Sequence, residues 1–81
     1  MKIRVRFFSH LRELAEATEI DLELSEATSV TSLLDLLYQR TPALRPWDKS
    51  ILVAVGLEFV SRDYVLRPEE DVSIMPPVQG G

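Results

Sequence analysis

The chain has 81 residues, 46% of them hydrophobic, with a net charge of −4 and no cysteine. That length and apolar content fit one globular domain and do not fit disorder. The absence of thiols excludes disulfides, thiolate metal sites and a cysteine nucleophile. A single histidine, His10, cannot hold a metal alone, and the acidic balance argues against nucleic acid as a partner.

The opening "MKIRVRFFSH" alternates in polarity and lacks the continuous apolar core of a signal peptide. No stretch approaches the roughly 20 apolar residues of a membrane span. A cytoplasmic chain with no membrane partner is the expectation. Residues 2–8 have the period of two that predicts a strand, with Ile3, Val5 and Phe7 inward. Lys2, Arg4 and Arg6 then share the opposite, solvated face.

Ser9 is placed to cap a short helix through "SHLRELAEA", with Leu11, Leu14 and Ala15 on one side. "EIDLELS" predicts a second strand with Ile20, Leu22 and Leu24 inward; a helical connection leaves its pairing sense open. The strongest helical pattern is "ATSVTSLLDLLYQRTPAL", with Thr28 or Ser29 as N-cap. Val30, Leu33, Leu34 and Leu37 form its apolar stripe, with Leu36 beside it. It stops near Arg40-Thr41, because Pro42 disfavours helix for the residue before it.

"TPALRPWDKS" reads as a loop, with Trp47 as a lid over one end of the core. "ILVAV" at 51–55 predicts a buried strand. Gly56-Leu57 marks a turn, "EFV" a short strand, and "SRDYVLRPEED" a loop. "DVSIM" at 71–75 predicts the last strand, with Val72 and Ile74 inward and Ser73 and Met75 outward. An α+β sandwich follows, with one mixed sheet covered by one main helix. A single helix covers one sheet face and leaves the other partly open.

No residue set offers catalysis. Glu69, Glu70 and Asp71 lie in a proline-marked loop without a companion histidine. Glu13 and Glu16 are three apart on the short helix, and Glu26 falls in a surface loop; none has a recognisable acid–base partner. Ser9 and His10 are sequence neighbours on a small helix, with no third group to orient a base. Gly56 is the one internal glycine, so no phosphate-cradling loop exists.

Apolar exposure is the remaining signal. Phe8 and Met75 fall on the outward side of their strands, and the bend at Gly56 leaves the phase of Phe59 open. If the first and last strands are neighbours, Phe8 and Met75 approach each other on the open face, as a binding surface would require. The sequence then ends "IMPPVQGG". Pro76-Pro77 cannot donate ladder hydrogen bonds and favours polyproline II, which ends the sheet and projects the following residues away. Gly80 and Gly81 have no side chains and suit entry into a narrow channel. The domain is therefore expected over 1–76, with 77–81 as an extended tail.

The segments "RFFSHLRELAE", "SVTSLLDLLYQRTPAL" and "IMPPVQGG" together resemble the small subunits of molybdopterin synthase, which are ubiquitin-like β-grasp sulfur carriers. The resemblance spans the chain. It implies that an E1-like adenylyltransferase uses ATP and magnesium to adenylate the Gly81 carboxylate, with no cofactor bound by this chain. Sulfur from a donor such as a cysteine desulfurase then gives a thiocarboxylate. It further implies that Pro76, Pro77, Val78, Gln79 and Gly80 insert with Gly81 into the large synthase subunit. There sulfur passes to cyclic pyranopterin monophosphate, with the catalytic side chains on the large subunit and a heterotetramer as the assembly. Phe8, Phe59 and Met75 match the family's partner contacts. Two turns depart from the family pattern: Gly56-Leu57 stands where a polar residue such as asparagine is usual, and "RPEEDV" lacks a common glycine. Sulfur carriers for thiamine, tRNA thiolation or a tungsten-type cofactor share the same chemistry. A protein modifier forming isopeptide bonds shares the same tail.

Overall fold

The computed structural model describes residues 1–77. The expectations for Val78, Gln79, Gly80 and Gly81 lie outside the described residues. Five strands form one mixed sheet: β1 (Lys2–Phe7), β2 (Glu19–Glu23), β3 (Leu52–Val55), β4 (Glu58–Phe59) and β5 (Asp71–Met75). Their spatial order is β2-β1-β5-β3-β4. β1 and β5 run parallel at the centre, and every other pairing is antiparallel. The pairing sense that the sequence left open between β1 and β2 is thus antiparallel. The two helices are α1 (His10–Ala15) and α2 (Val30–Arg40).

The alternation of β1 is realised without exception: Ile3, Val5 and Phe7 are buried and Lys2, Arg4 and Arg6 are exposed. The same face is completed by Val53, Val72 and Ile74. Against it lies α2, whose Val30, Leu33, Leu34 and Leu37 are all buried, while Leu36 is exposed. Ser29 is the cap, its hydroxyl accepting from the Ser32 amide at 3.2 Å. That bond satisfies one of the amide groups a helix start leaves open. Thr28 instead donates its hydroxyl to the Ser25 carbonyl. α2 ends at Arg40, as Pro42 requires.

Four expectations are corrected. Ser9 occupies the cap position of α1 but makes no side-chain cap bond, because its backbone has φ 55° and ψ −141°. An N-cap needs extended backbone to aim its hydroxyl at the helix amides. The stretch Pro42–Ser50 is not an open loop but a run of 3-10 turns that buries Leu44. Trp47 is no lid on the core; it is 40% exposed and lies against the His10 ring, with centroids 4.5 Å apart. β3 is not buried on both faces, since Leu52 points outward and is half-exposed. With helices on one side only, a strand's alternate residues must meet solvent.

Candidate functional site

The uncovered face of the sheet is built row by row from the pairing register. Arg4 stands beside Asp71, and Arg6 beside Ser73. Phe8 continues this parallel ladder, its amide donating to the Ile74 carbonyl at 3.1 Å. It therefore lies next to Met75, and Met75 pairs with Leu52. One row further in, Ser73 pairs with Ala54, and Ala54 with Phe59. The outcome is a continuous apolar area of Phe8, Met75, Leu52, Ala54 and Phe59. Phe8 is 42% exposed and Phe59 66% exposed, and Met75 is half-buried between its neighbours. A shallow recess of about 290 Å³ lies beside Phe59 and Leu52.

The rest of the face is charged but internally matched. Arg4 Nε contacts Asp21 Oδ1 at 3.1 Å, and Lys2 Nζ lies 3.7 Å from Asp21 Oδ2. Arg6 reaches Glu19 at 3.3 Å and Asp71 at 3.9 Å. The hydrogen bond from the Arg4 guanidinium holds the Asp21 carboxyl below the usual carboxylate range. Exposed pairs of this kind add little stability. They leave no uncompensated basic stripe, in keeping with the solvated face read from the alternation of β1. The face thus divides into a neutralised charged half on β2 and β1, and an apolar half towards β4.

The chain leaves the sheet at the apolar half. Met75 is the last strand residue, and Pro76 and Pro77 follow outside any strand, both half-buried. The missing proline amides end the ladder here. Phe8, Phe59 and Met75 are therefore brought together beside the exit of the tail. Sequence reasoning missed Leu52: its apolar run masked the alternation, and only the register with Met75 shows its side. Gly56 opens the two-residue turn before β4 with φ 62°, a left-handed conformation that suits glycine. That turn fixes the outward phase of Phe59.

A polar fastening joins α2 to the segments that follow it. The buried Tyr38 donates its hydroxyl to Asp48 Oδ1 at 2.5 Å. Arg62 bonds the same oxygen at 3.1 Å and the Asp48 carbonyl at 2.6 Å. Desolvation, then the bond to Asp48, pushes the Tyr38 phenol above the ordinary tyrosine range. The Tyr38 bond, with help from Arg62, holds the Asp48 carboxyl low. This network ties α2 to the 3-10 segment and to the loop before β5, and presents no free nucleophile. Glu70 is likewise a loop fastener, accepting from the Tyr64 hydroxyl and the Arg67 amide. Among the described residues no group of acidic or histidine side chains could hold a metal, and no helix is long and apolar enough to cross a membrane.

Comparison with known proteins matches the chain over almost its whole length. The ThiS family model matches residues 5–81. The molybdopterin synthase sulfur carrier subunit of Escherichia coli is 33% identical, over 98% of this chain and 99% of its own. That of Chlamydomonas reinhardtii is 31% identical over the full length of both. Among solved structures, a Pyrococcus furiosus protein assigned as molybdopterin converting factor subunit 1 superposes with a TM-score of 0.88. It is 28% identical, over 96% of this chain and 99% of its own. A chain in the complex of subunits 1 and 2 of the Helicobacter pylori molybdopterin-converting factor has the same fold, with a TM-score of 0.71 at 22% identity and full coverage of both chains. The ubiquitin-like β-grasp fold and the full-length match agree: this chain belongs to the ThiS family, alongside the molybdopterin synthase sulfur carrier subunits.

Proposed function

We propose that this chain is the sulfur carrier subunit of a cytoplasmic molybdopterin synthase. The observation that carries the reading is the apolar area of Phe8, Met75, Leu52 and Phe59 beside the point where Pro76 leaves the sheet. A docking face there fixes the body while the tail reaches into the partner. Exposed aromatic and large apolar side chains clustered on one face supply the binding energy, and the slim Gly80-Gly81 end supplies reach.

The chemistry belongs to the terminal carboxylate of Gly81. An E1-like adenylyltransferase, using ATP and magnesium, forms the acyl adenylate and releases pyrophosphate. Persulfide sulfur from a donor such as a cysteine desulfurase attacks the acyl adenylate and expels AMP, and a thiol reductant cleaves the resulting acyl disulfide to leave the thiocarboxylate. Inside the large subunit that sulfur is transferred to cyclic pyranopterin monophosphate, and hydrolysis returns the carboxylate. This chain binds no cofactor; it contributes the docking face, Pro76 and Pro77 as the exit, and Val78 to Gly81 as the inserted tail.

Deletion of Gly81 tests the reading. Sulfur transfer by the reconstituted synthase should be lost, while the melting temperature and the circular dichroism of the domain stay unchanged. A Gly81-deleted chain that still supports full molybdopterin formation would sink it. The same fold also occurs in SAMP1 of Haloferax volcanii, at a TM-score of 0.85 and 24% identity. A thiamine or tRNA-thiolation phenotype in a deletion strain would redirect the sulfur to another product. Gly81-dependent lysine adducts would favour a protein modifier.

A further inference from the structure

We infer that Leu57, at the tip of the β3–β4 hairpin, is an additional anchor that selects this chain's large-subunit partner. The inference rests on the sulfur-carrier reading and extends its docking face. Leu57 is 102% exposed, so its side chain packs against nothing in this chain. The turn does not call for leucine. Gly56 supplies the positive φ, and the space around the turn is open, with nothing within 4 Å of a Cβ added at Gly56. A polar residue would satisfy the second turn position at no cost to the fold.

A lone exposed leucine is ordinary. This one is not isolated. Two residues on, Phe59 is 66% exposed and pairs with Ala54 in the apolar half of the open face. The Gly56 amide also donates to the Asp71 carbonyl at 3.0 Å, which pins the turn against the start of β5. Leu57 is thus presented on a fixed hairpin rather than on a loose loop, at the strand end beside Asp71 and two residues from Phe59. Towards β1 and β2 the face is closed to apolar docking by the paired charges of Arg6, Arg4, Glu19 and Asp21. Among the described residues the β3–β4 hairpin makes no ion pair, so an apolar contact can grow in that direction. The large subunit, as the standing partner, is the occupant that suits such an anchor, because long-lived interfaces are more apolar than transient encounters with an activating enzyme. The matching feature on that partner is an apolar recess that receives the hairpin tip.

The test is calorimetric titration of the purified large subunit with the full chain and with Leu57→Asn, Leu57→Met and Phe59→Ala variants. Leu57→Asn should weaken binding about tenfold or more through faster dissociation, with unchanged thermal stability. Leu57→Met should retain most of the affinity. Binding by Leu57→Asn equal to that of the parent, while Phe59→Ala binds weakly, would overturn this inference and leave the docking face standing. Parental binding by both Leu57→Asn and Phe59→Ala would remove the face itself. A loss of binding by Leu57→Asn confined to the adenylating enzyme would overturn the choice of partner.

Discussion

Tyr38 shows how one residue type can hide its role. Its hydroxyl marks it as amphipathic, yet the side chain is buried in the core. Burial is tolerated because Asp48, ten residues on, accepts a hydrogen bond from its hydroxyl at 2.5 Å. Nothing in the helical pattern of α2 reveals that partner. Tyr38→Phe should cost about 1–2 kcal/mol, measured by urea denaturation, since a hydrogen bond to a charged acceptor is lost. The linkage has two signs. The Tyr38 phenol is raised, so its contribution is present below the ordinary tyrosine range and is lost as pH rises through the folded value. The Asp48 carboxyl is lowered, so its contribution is present above the ordinary carboxylate range and fades as pH falls through the depressed value. Asp48→Asn should therefore lessen the drop in stability between about pH 5 and pH 2. An unchanged acid limb in that variant would contradict the assignment. Gly56 gives a cleaner case at the same scale. Gly56→Ala should cost about 1 kcal/mol for the left-handed backbone, with no steric addition.

At the scale of elements, legibility followed periodicity. β1, α2 and β5 each bury one clean stripe, and each was readable from spacing alone. Pro42–Ser50 was not, because two prolines and a short apolar count give no period, while its turns are set by Leu44 meeting the core. The failure of Ser9 as a cap was equally hidden. Its backbone is fixed by the passage from β1 into α1, where the Phe8 carbonyl accepts from Leu11 and the Ser9 carbonyl from Arg12. For α2 the cap is real, and Ser29→Ala should lower stability by about 1 kcal/mol. Leu33→Ala, a fully buried position on the same helix, should cost about 2–5 kcal/mol. That is a large part of the stability of a small domain. Thermal melts of the two variants should rank them in that order.

The whole molecule is organised by having helices on one side of its sheet only. That asymmetry creates the core on one face and frees the other for a partner. Half of the candidate site was readable from alternation: Phe8 and Met75 face out because Phe7 and Ile74 face in. Leu52 and the phase of Phe59 needed the strand order, which places β5 between β1 and β3. No pattern in one strand can report which strand lies beside it. Replacing Phe8 by serine on the docking face should weaken association with the large subunit by about tenfold or more while leaving the fold intact, because this side chain packs on the solvent side of the sheet. Analytical ultracentrifugation of the mixed subunits would show the free species directly.

On the proposed reading this chain carries sulfur on its own terminus. Intact-mass spectrometry tests this after incubation with an adenylyltransferase of the pathway, ATP, magnesium, a cysteine desulfurase with its substrate, and a thiol reductant. The expected product is heavier by one exchange of oxygen for sulfur, localised by fragmentation to Gly81 and absent from the Gly81-deleted chain. A chain that keeps its plain carboxylate, in a mixture that converts a known carrier, would contradict it.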